Sequence, residues 1–157
     1  METQMSRRTL SWRHLAAVGA ISLLAGCAQT GPYAVASNPP PVAPGPHATW
    51  YHVEFGMNSH AIDANGQRTV AAVTDYLQRN PESIATIIGK TDTVGSADYN
   101  MHLSHQRADA VRDALVYTSN VPADRVETRW TGETRQRVAT ANDVASQSNR
   151  VVDIAIH

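Results

Sequence analysis

Apolar residues recur with two different periods along residues 49–157, and these periods predict the secondary structure. Short runs rich in β-branched and aromatic residues predict four strands, over residues 50–55, 83–88, 126–131 and 151–156. Apolar positions three and four residues apart predict two helices, over residues 63–79 and 101–117. The pair Asn80-Pro81 ends the first helix, because proline cannot continue it.

The resulting element order, β-α-β-α-β-β, predicts the fold class. One helix lies between the first and second strands, and another lies between the second and third. Such crossovers favour an α/β sandwich in which one sheet carries helices on one face. The second strand is almost continuously apolar up to Gly89 and is therefore expected at the centre of the sheet.

A basic residue interrupts the apolar face of the second helix. At about 100° per residue, Leu103 and Val111 bracket Arg107 on the helical wheel. A guanidinium on that face needs a carboxylate or several carbonyls, since an unpaired buried charge is destabilising. The preceding polar turn carries Asp92, which is the nearest candidate partner.

Two interpretations of Asp92 and Arg107 fit this pattern. In the first, the two side chains form a structural ion pair that fixes the loop to the helix, and periodicity alone favours it. In the second, Arg107 grips a ligand carboxylate bidentately and Asp92 binds an ammonium group, so that together they hold a zwitterion. The hydroxyls of Thr91 and Thr93 and the turn at Gly95 favour a binding site near the helix N-terminus.

Residues 1–26 have the pattern of a cleaved signal peptide. Arginines at positions 7, 8 and 13 precede a charge-free run over residues 15–26, which is too short to span a bilayer. The run ends Leu-Ala-Gly before Cys27, the single cysteine of the chain, and so resembles a bacterial lipobox. Ala28 resembles the residue that follows the lipidated cysteine in lipoproteins of the outer membrane. The alternative is an ordinary signal peptide followed by a stray cysteine.

Residues 27–48 differ in composition from the rest of the chain. Six of the eight prolines lie here among Gly, Ala and Ser, a composition typical of a semi-rigid, polyproline-like tether. Residues 49–157 are then one domain, large enough to fold without disulfides. Beyond residue 26 there are ten basic and thirteen acidic residues, a net charge of −3. The absence of a basic patch argues against nucleic acid as a partner.

Residues 89–108 also resemble the signature of OmpA-like peptidoglycan-binding domains, a group that includes lipid-anchored members. The resemblance extends over residues 55–156 and depends on motif residues at matched spacing: Gly89, Thr91, Asp92, Gly95, Ser96, Tyr99, Asn100, Leu103, Ser104, Arg107, Ala108, Gly132, Glu133, Asn149 and Arg150. It implies an α+β fold with one mixed four-stranded sheet. It also implies noncovalent binding of the diaminopimelate of the cell-wall stem peptide.

The same resemblance assigns roles to particular residues. Asp92 and Arg107 would hold the amino and carboxylate groups of diaminopimelate. Asn100, Leu103 and the backbone from Thr91 to Thr93 would line the pocket. The chain departs from the family pattern at Lys90, which adds a cation beside the site, and at Val151, which replaces an arginine. Residues 134–138 also lack a proline that is usual there.

Three functional hypotheses follow. The first is a lipid-anchored outer-membrane protein whose domain faces the periplasm and binds peptidoglycan. The second is an accessory subunit of an envelope complex, with protein partners and only secondary affinity for the wall. The third, an enzyme acting on the wall, is disfavoured because no catalytic residue set, cofactor motif or metal-ligand spacing is apparent. His102 and His105, three residues apart, are expected to be surface residues without further ligands.

Overall fold

The computed structural model describes residues 47–157, which form one four-stranded sheet and two long helices. In chain order the main elements are β1 (Thr49–Glu54), α1 (Ala64–Arg79), β2 (Ala85–Gly89), α2 (Ala97–Asp113), β3 (Val126–Trp130) and β4 (Val151–Ile156). The predicted order and the predicted α+β class are confirmed. The predictions of a signal peptide, of lipidation at Cys27 and of nearly all of the tether lie outside the described residues.

The sheet is mixed, and its last strand lies inside it. The strand order is β1-β4-β2-β3; β4 runs antiparallel to both of its neighbours, and β2 runs parallel to β3. Val152 of β4 lies opposite Val53 of β1 on one side and Gly89 of β2 on the other. All residues of β2 and β4 are buried, which explains their nearly continuous apolar sequences.

The core lies between the helices and one face of the sheet. Alternate strand residues point to this face, among them Val53, Ile87 and Ile154. They pack against the predicted apolar stripe of α1 and against Val111 of α2. The predicted arrangement of sheet and helices is therefore confirmed.

The second helix begins earlier and ends differently than the apolar period predicts. The side chain of Ser96 accepts a hydrogen bond from the N–H of Tyr99 at 3.2 Å and caps a first turn that has no apolar periodicity. After Asp113 the helix widens into a π-helical turn, Ala114–Thr118. Neither helix in residues 47–157 has the length and hydrophobicity needed to span a membrane.

Of the two tryptophans of the domain, Trp50 lies outside the core. Trp50 lies at the start of the edge strand β1, on the face of the sheet away from the helices, and is 46% exposed. Trp130 is half-buried, and its ring stacks on His105 of α2 at a centroid distance of 3.9 Å. An edge strand buries its side chains on one face only, which the sequence pattern of β1 does not reveal.

Gly89 marks the closest approach of β2 to α2, and its substitution tests the packing. A Cβ atom at this position would lie 2.0 Å from the backbone carbonyl oxygen of Ser104. We therefore expect Gly89→Ala to lower the free energy of unfolding by about 3 kcal/mol or more, measured by urea denaturation. Gly56→Ala is the matched control, because its Cβ would meet only Ser59 at 3.6 Å; a change within about 0.5 kcal/mol is expected there. Equal effects of the two substitutions would contradict this account of the packing.

Candidate functional site

The guanidinium of Arg107 is fully buried and is bonded to backbone carbonyls. Arg107 is 0% exposed. Its Nε donates to the carbonyl of Ser59 at 2.9 Å, its Nη1 to that of Lys90 at 2.9 Å, and its Nη2 to that of Gly56 at 3.0 Å. Of the two kinds of partner expected for this charge, a carboxylate or several carbonyls, the structure shows the carbonyls. Because α2 begins at Ala97, Arg107 lies in the third turn and reaches sideways to the loops, not past the start of the helix.

These three bonds join two separate loops to α2. Gly56 and Ser59 belong to the loop between β1 and α1, whereas Lys90 belongs to the loop between β2 and α2. The guanidinium also lies over the ring of Phe55, 5.3 Å from its centroid. Burial lowers the pKa of Arg107 to about 10, against the opposing effect of the nearby Asp92 carboxylate. A pKa of about 10 still leaves the group charged at neutral pH.

Asp92 is buried close to Arg107 but pairs with a different arginine. It is 5% exposed, and its Oδ2 accepts hydrogen bonds from Arg150 Nη1 at 2.8 Å and from the N–H of Ser146 at 3.1 Å. Among residues 47–157 no salt bridge joins Asp92 to Arg107, so the structural ion pair considered from sequence does not form. Asp92 and Arg107 still interact electrostatically, because the Asp92 carboxylate raises the pKa of Arg107. The guanidinium of Arg150 lowers that pKa.

The two threonines beside Asp92 have different environments. Thr91 is buried, its N–H donates to the carbonyl of Gly132 at 2.9 Å, and its hydroxyl has no partner within the described part of the chain. Thr93 donates to the carbonyl of Ala141 at 2.7 Å and accepts from the N–H of Val144 at 3.1 Å. The Thr93 hydroxyl therefore holds the long loop before β4 in place.

Asn100 and Leu103 are both buried on the first turns of α2. The amide Nδ2 of Asn100 donates to Glu133 Oε2 at 2.6 Å and to the carbonyl of Val94 at 3.2 Å. Asn100 thus fixes the loop that carries Asp92 against the loop after β3. Leu103 is buried outside the main core cluster.

Lys90 was expected to place a cation beside the site, but its ammonium group pairs with Asp153 instead. Its Nζ forms a salt bridge with Asp153 Oδ2 at 2.7 Å, and only the backbone carbonyl of Lys90 contacts Arg107. Asp153 lies in the middle of β4, where a carboxylate interrupts an otherwise apolar strand. Val151, at the other departure from the family pattern, is fully buried in the same strand.

Several residues of the site do not follow from sequence reasoning alone. The carbonyls of Gly56 and Ser59 carry no sequence signal, because any residue offers a carbonyl. Ser146 likewise contributes only its backbone N–H. Arg150 was matched to the family pattern without a role. Its position directly before the buried strand β4 was a signal that its charge needs a partner.

The histidines of α2 do not form a metal site. Nε2 of His105 lies 3.2 Å from Oδ2 of Asp109, which is one helical turn further along α2. Within residues 47–157 no group of three or more His, Cys, Asp or Glu side chains is placed to hold a metal ion.

Replacing Arg107 by lysine tests its role as the link between the loops. A single ammonium cannot satisfy three carbonyls that a planar guanidinium reaches in different directions. We expect Arg107→Lys to lower the free energy of unfolding by about 2–4 kcal/mol, because a fully buried side chain loses hydrogen bonds that join the two loops to α2. Arg79→Lys, on the exposed surface of α1, should change it by less than about 0.5 kcal/mol. A loss as small as that of the control would mean that these bonds do not hold the loops.

Comparisons with known proteins place this fold among cell-envelope proteins. The chain is 33% identical over 105 residues to the probable lipoprotein YiaD of Escherichia coli. The matched region covers 67% of this chain and 48% of that protein. It is 36% identical over 101 residues to the peptidoglycan-associated lipoprotein of Brucella melitensis, covering 64% of this chain and 60% of that protein.

A solved structure of a related protein has the same fold. The crystal structure of the peptidoglycan-associated lipoprotein from Burkholderia pseudomallei superposes with a TM-score of 0.62 at 26% identity, covering 68% of this chain and 89% of that one. The matched region spans about half of YiaD and somewhat more than half of the Brucella protein. The OmpA family model matches residues 54–150, a range that contains all of the candidate binding residues. The chain therefore belongs to the OmpA family.

Proposed function

We propose that the domain binds peptidoglycan noncovalently by gripping the diaminopimelate of its stem peptide, and that the protein links the outer membrane to the cell wall. The single observation that carries this proposal is the charge cluster formed by the buried Asp92 and Arg107 with the half-buried Arg150 at the junction of three loops. Two guanidinium groups and one carboxylate give the cluster a net charge of +1. That balance suits a ligand portion that presents a carboxylate together with an ammonium group.

Arg107 retains donors for a ligand carboxylate. A guanidinium has five N–H groups, and the three carbonyls engage one on each nitrogen. One N–H on Nη1 and one on Nη2 remain, which is the pair that a bidentate carboxylate requires. Because the guanidinium is fully buried, a ligand reaches these two N–H groups only after the groups that cover them move.

Asp92 is suited to the ammonium group of the same ligand. Both of its hydrogen bonds within the described residues go to Oδ2, so Oδ1 is left to accept another donor. The hydroxyl of Thr91, which has no partner in residues 47–157, lies one residue away and offers a further polar contact.

The sequence before residue 47 supports a location of this site near a membrane. Lipidation at Cys27 and a proline-rich tether would hold the domain near a membrane while it reaches the wall. The relatives include proteins named as lipoproteins and as peptidoglycan-associated. The protein is proposed to be a binding module and not an enzyme, since Asp92 is held by Arg150 and Ser146 and offers no pair of carboxylates for acid–base catalysis.

Sedimentation with purified sacculi tests the proposal directly. Asp92→Asn keeps the shape of the side chain and removes its charge, so we expect at least about a tenfold loss of affinity for sacculi. Asp98→Asn is the matched control, because Asp98 is exposed on the first turn of α2; its affinity should equal that of the wild type. Thermal unfolding of each variant separates loss of binding from loss of fold.

Two results would contradict the proposal. Undiminished binding by Asp92→Asn would remove Asp92 from the site. Release of soluble muropeptides during incubation would instead indicate an enzyme acting on the wall. Retention of a crosslinked envelope partner by a variant that no longer binds sacculi would favour the role of an assembly subunit.

A further inference from the structure

Large apolar side chains are exposed beside the charge cluster. Within residues 47–157 the exposed large apolar residues are Trp50, Met57, Tyr99, Tyr117, Val138 and Val144. Met57, Tyr99 and Val144 lie on the loops and the helical turn that carry residues of the proposed site. Single exposed apolar residues are normal on a protein surface, whereas several beside one polar site indicate a binding surface.

Tyr99 continues a row of side chains that begins at Arg107. Tyr99, Leu103 and Arg107 are spaced by four residues, so they lie one above the other along one side of α2. Exposure rises along this row: Arg107 is fully buried, Leu103 is 5% exposed and Tyr99 is 45% exposed. The row therefore leads from the buried guanidinium to the surface, and the two residues beyond Arg107 are apolar or aromatic.

The ring of Tyr99 lies against the turn that follows Asp92. A Cβ atom at Gly95 would be 3.6 Å from Cδ1 of Tyr99, which is ordinary van der Waals contact. The phenol also lies within electrostatic reach of Arg107: burial lowers the pKa of Arg107, whereas Asp92 and Tyr99 both raise it. The Tyr99 side chain is thus close to both charged groups that are proposed to hold the ligand.

Met57 and Val144 place exposed apolar groups on two neighbouring loops. Met57 follows Gly56, whose carbonyl accepts a hydrogen bond from Arg107. The N–H of Val144 donates to the hydroxyl of Thr93, the residue after Asp92, at 3.1 Å. Apolar side chains on three segments of the chain therefore adjoin the charge cluster.

A diamino acid has a part that the charge cluster does not contact. Arg107 and Asp92 account for one carboxylate and one ammonium group, but a chain of methylene groups joins that end of diaminopimelate to the other. Removing methylene groups from water favours binding wherever apolar side chains cover them. With its carboxylate at the buried Arg107, the ligand has to lead its methylene chain outward, in the direction of Leu103 and Tyr99.

We infer that Tyr99 is a further ligand-contacting residue, whose ring covers the methylene chain of the bound diamino acid where it leaves the charge cluster. The site then selects its ligand by the apolar chain as well as by the two charged groups. This inference rests on the proposed function, because the charged end of the ligand fixes where the chain begins.

Calorimetry on the purified full-length protein tests the role of Tyr99. Tyr99→Ala removes the ring and should weaken the binding of free diaminopimelate about fivefold. Tyr99→Leu keeps an apolar side chain and should recover most of the affinity. Free alanine presents the same ammonium and carboxylate groups without the chain, so its affinity, measured by competition with diaminopimelate, should differ less than about twofold between Tyr99→Ala and wild type.

Tyr117→Ala is the matched control, because Tyr117 is an exposed tyrosine beyond the end of α2. It should bind diaminopimelate as the wild type does, and thermal unfolding of each variant checks that the fold is kept. Undiminished binding by Tyr99→Ala, an equal loss for diaminopimelate and alanine, or a Tyr99→Leu variant as weak as Tyr99→Ala would overturn the contact. Failure of the wild type itself to bind diaminopimelate would overturn the proposed function, and the inference with it.

Discussion

The hydrogen bonding of one buried guanidinium organises the functional end of this domain. Arg107 lies on the apolar side of α2 and reaches three carbonyls in two loops. The carbonyls satisfy a fully buried charge, and that charge holds the two loops against α2, so the charge and the loops stabilise each other. The same bonds bring Asp92 and Arg150 close to Arg107, and the positive cluster is therefore a consequence of how the loops are held.

The two faces of the sheet have different roles: one carries the apolar core, and the other carries a charged network. Toward the helices, the apolar residues of β2 and β4 build the core. On the opposite face, Asp153 binds Lys90 and His52, which keeps the lysine away from Arg107. The two networks meet at Lys90, whose backbone carbonyl contacts Arg107 while its side chain contacts Asp153.

Sequence predicted most of the fold, because apolar periodicity reports directly on burial. The stripe of α1 and the buried strands β2 and β4 follow from it. The polar first turn of α2 does not, since Ser96 acts through a cap and not through periodicity. Sequence also singled out Arg107 and Asp92, and of its two interpretations the direct ion pair does not form: backbone carbonyls carry no residue signature, and the contact of Asp92 with Arg150 spans 58 positions.

A crystal structure of the protein with free diaminopimelate tests the central claim most directly. We expect a ligand carboxylate about 3 Å from Nη1 and Nη2 of Arg107 and an ammonium group at Asp92. A ligand bound elsewhere, with Arg107 still fully buried, would contradict this claim. In that case Arg107 would be a structural residue alone.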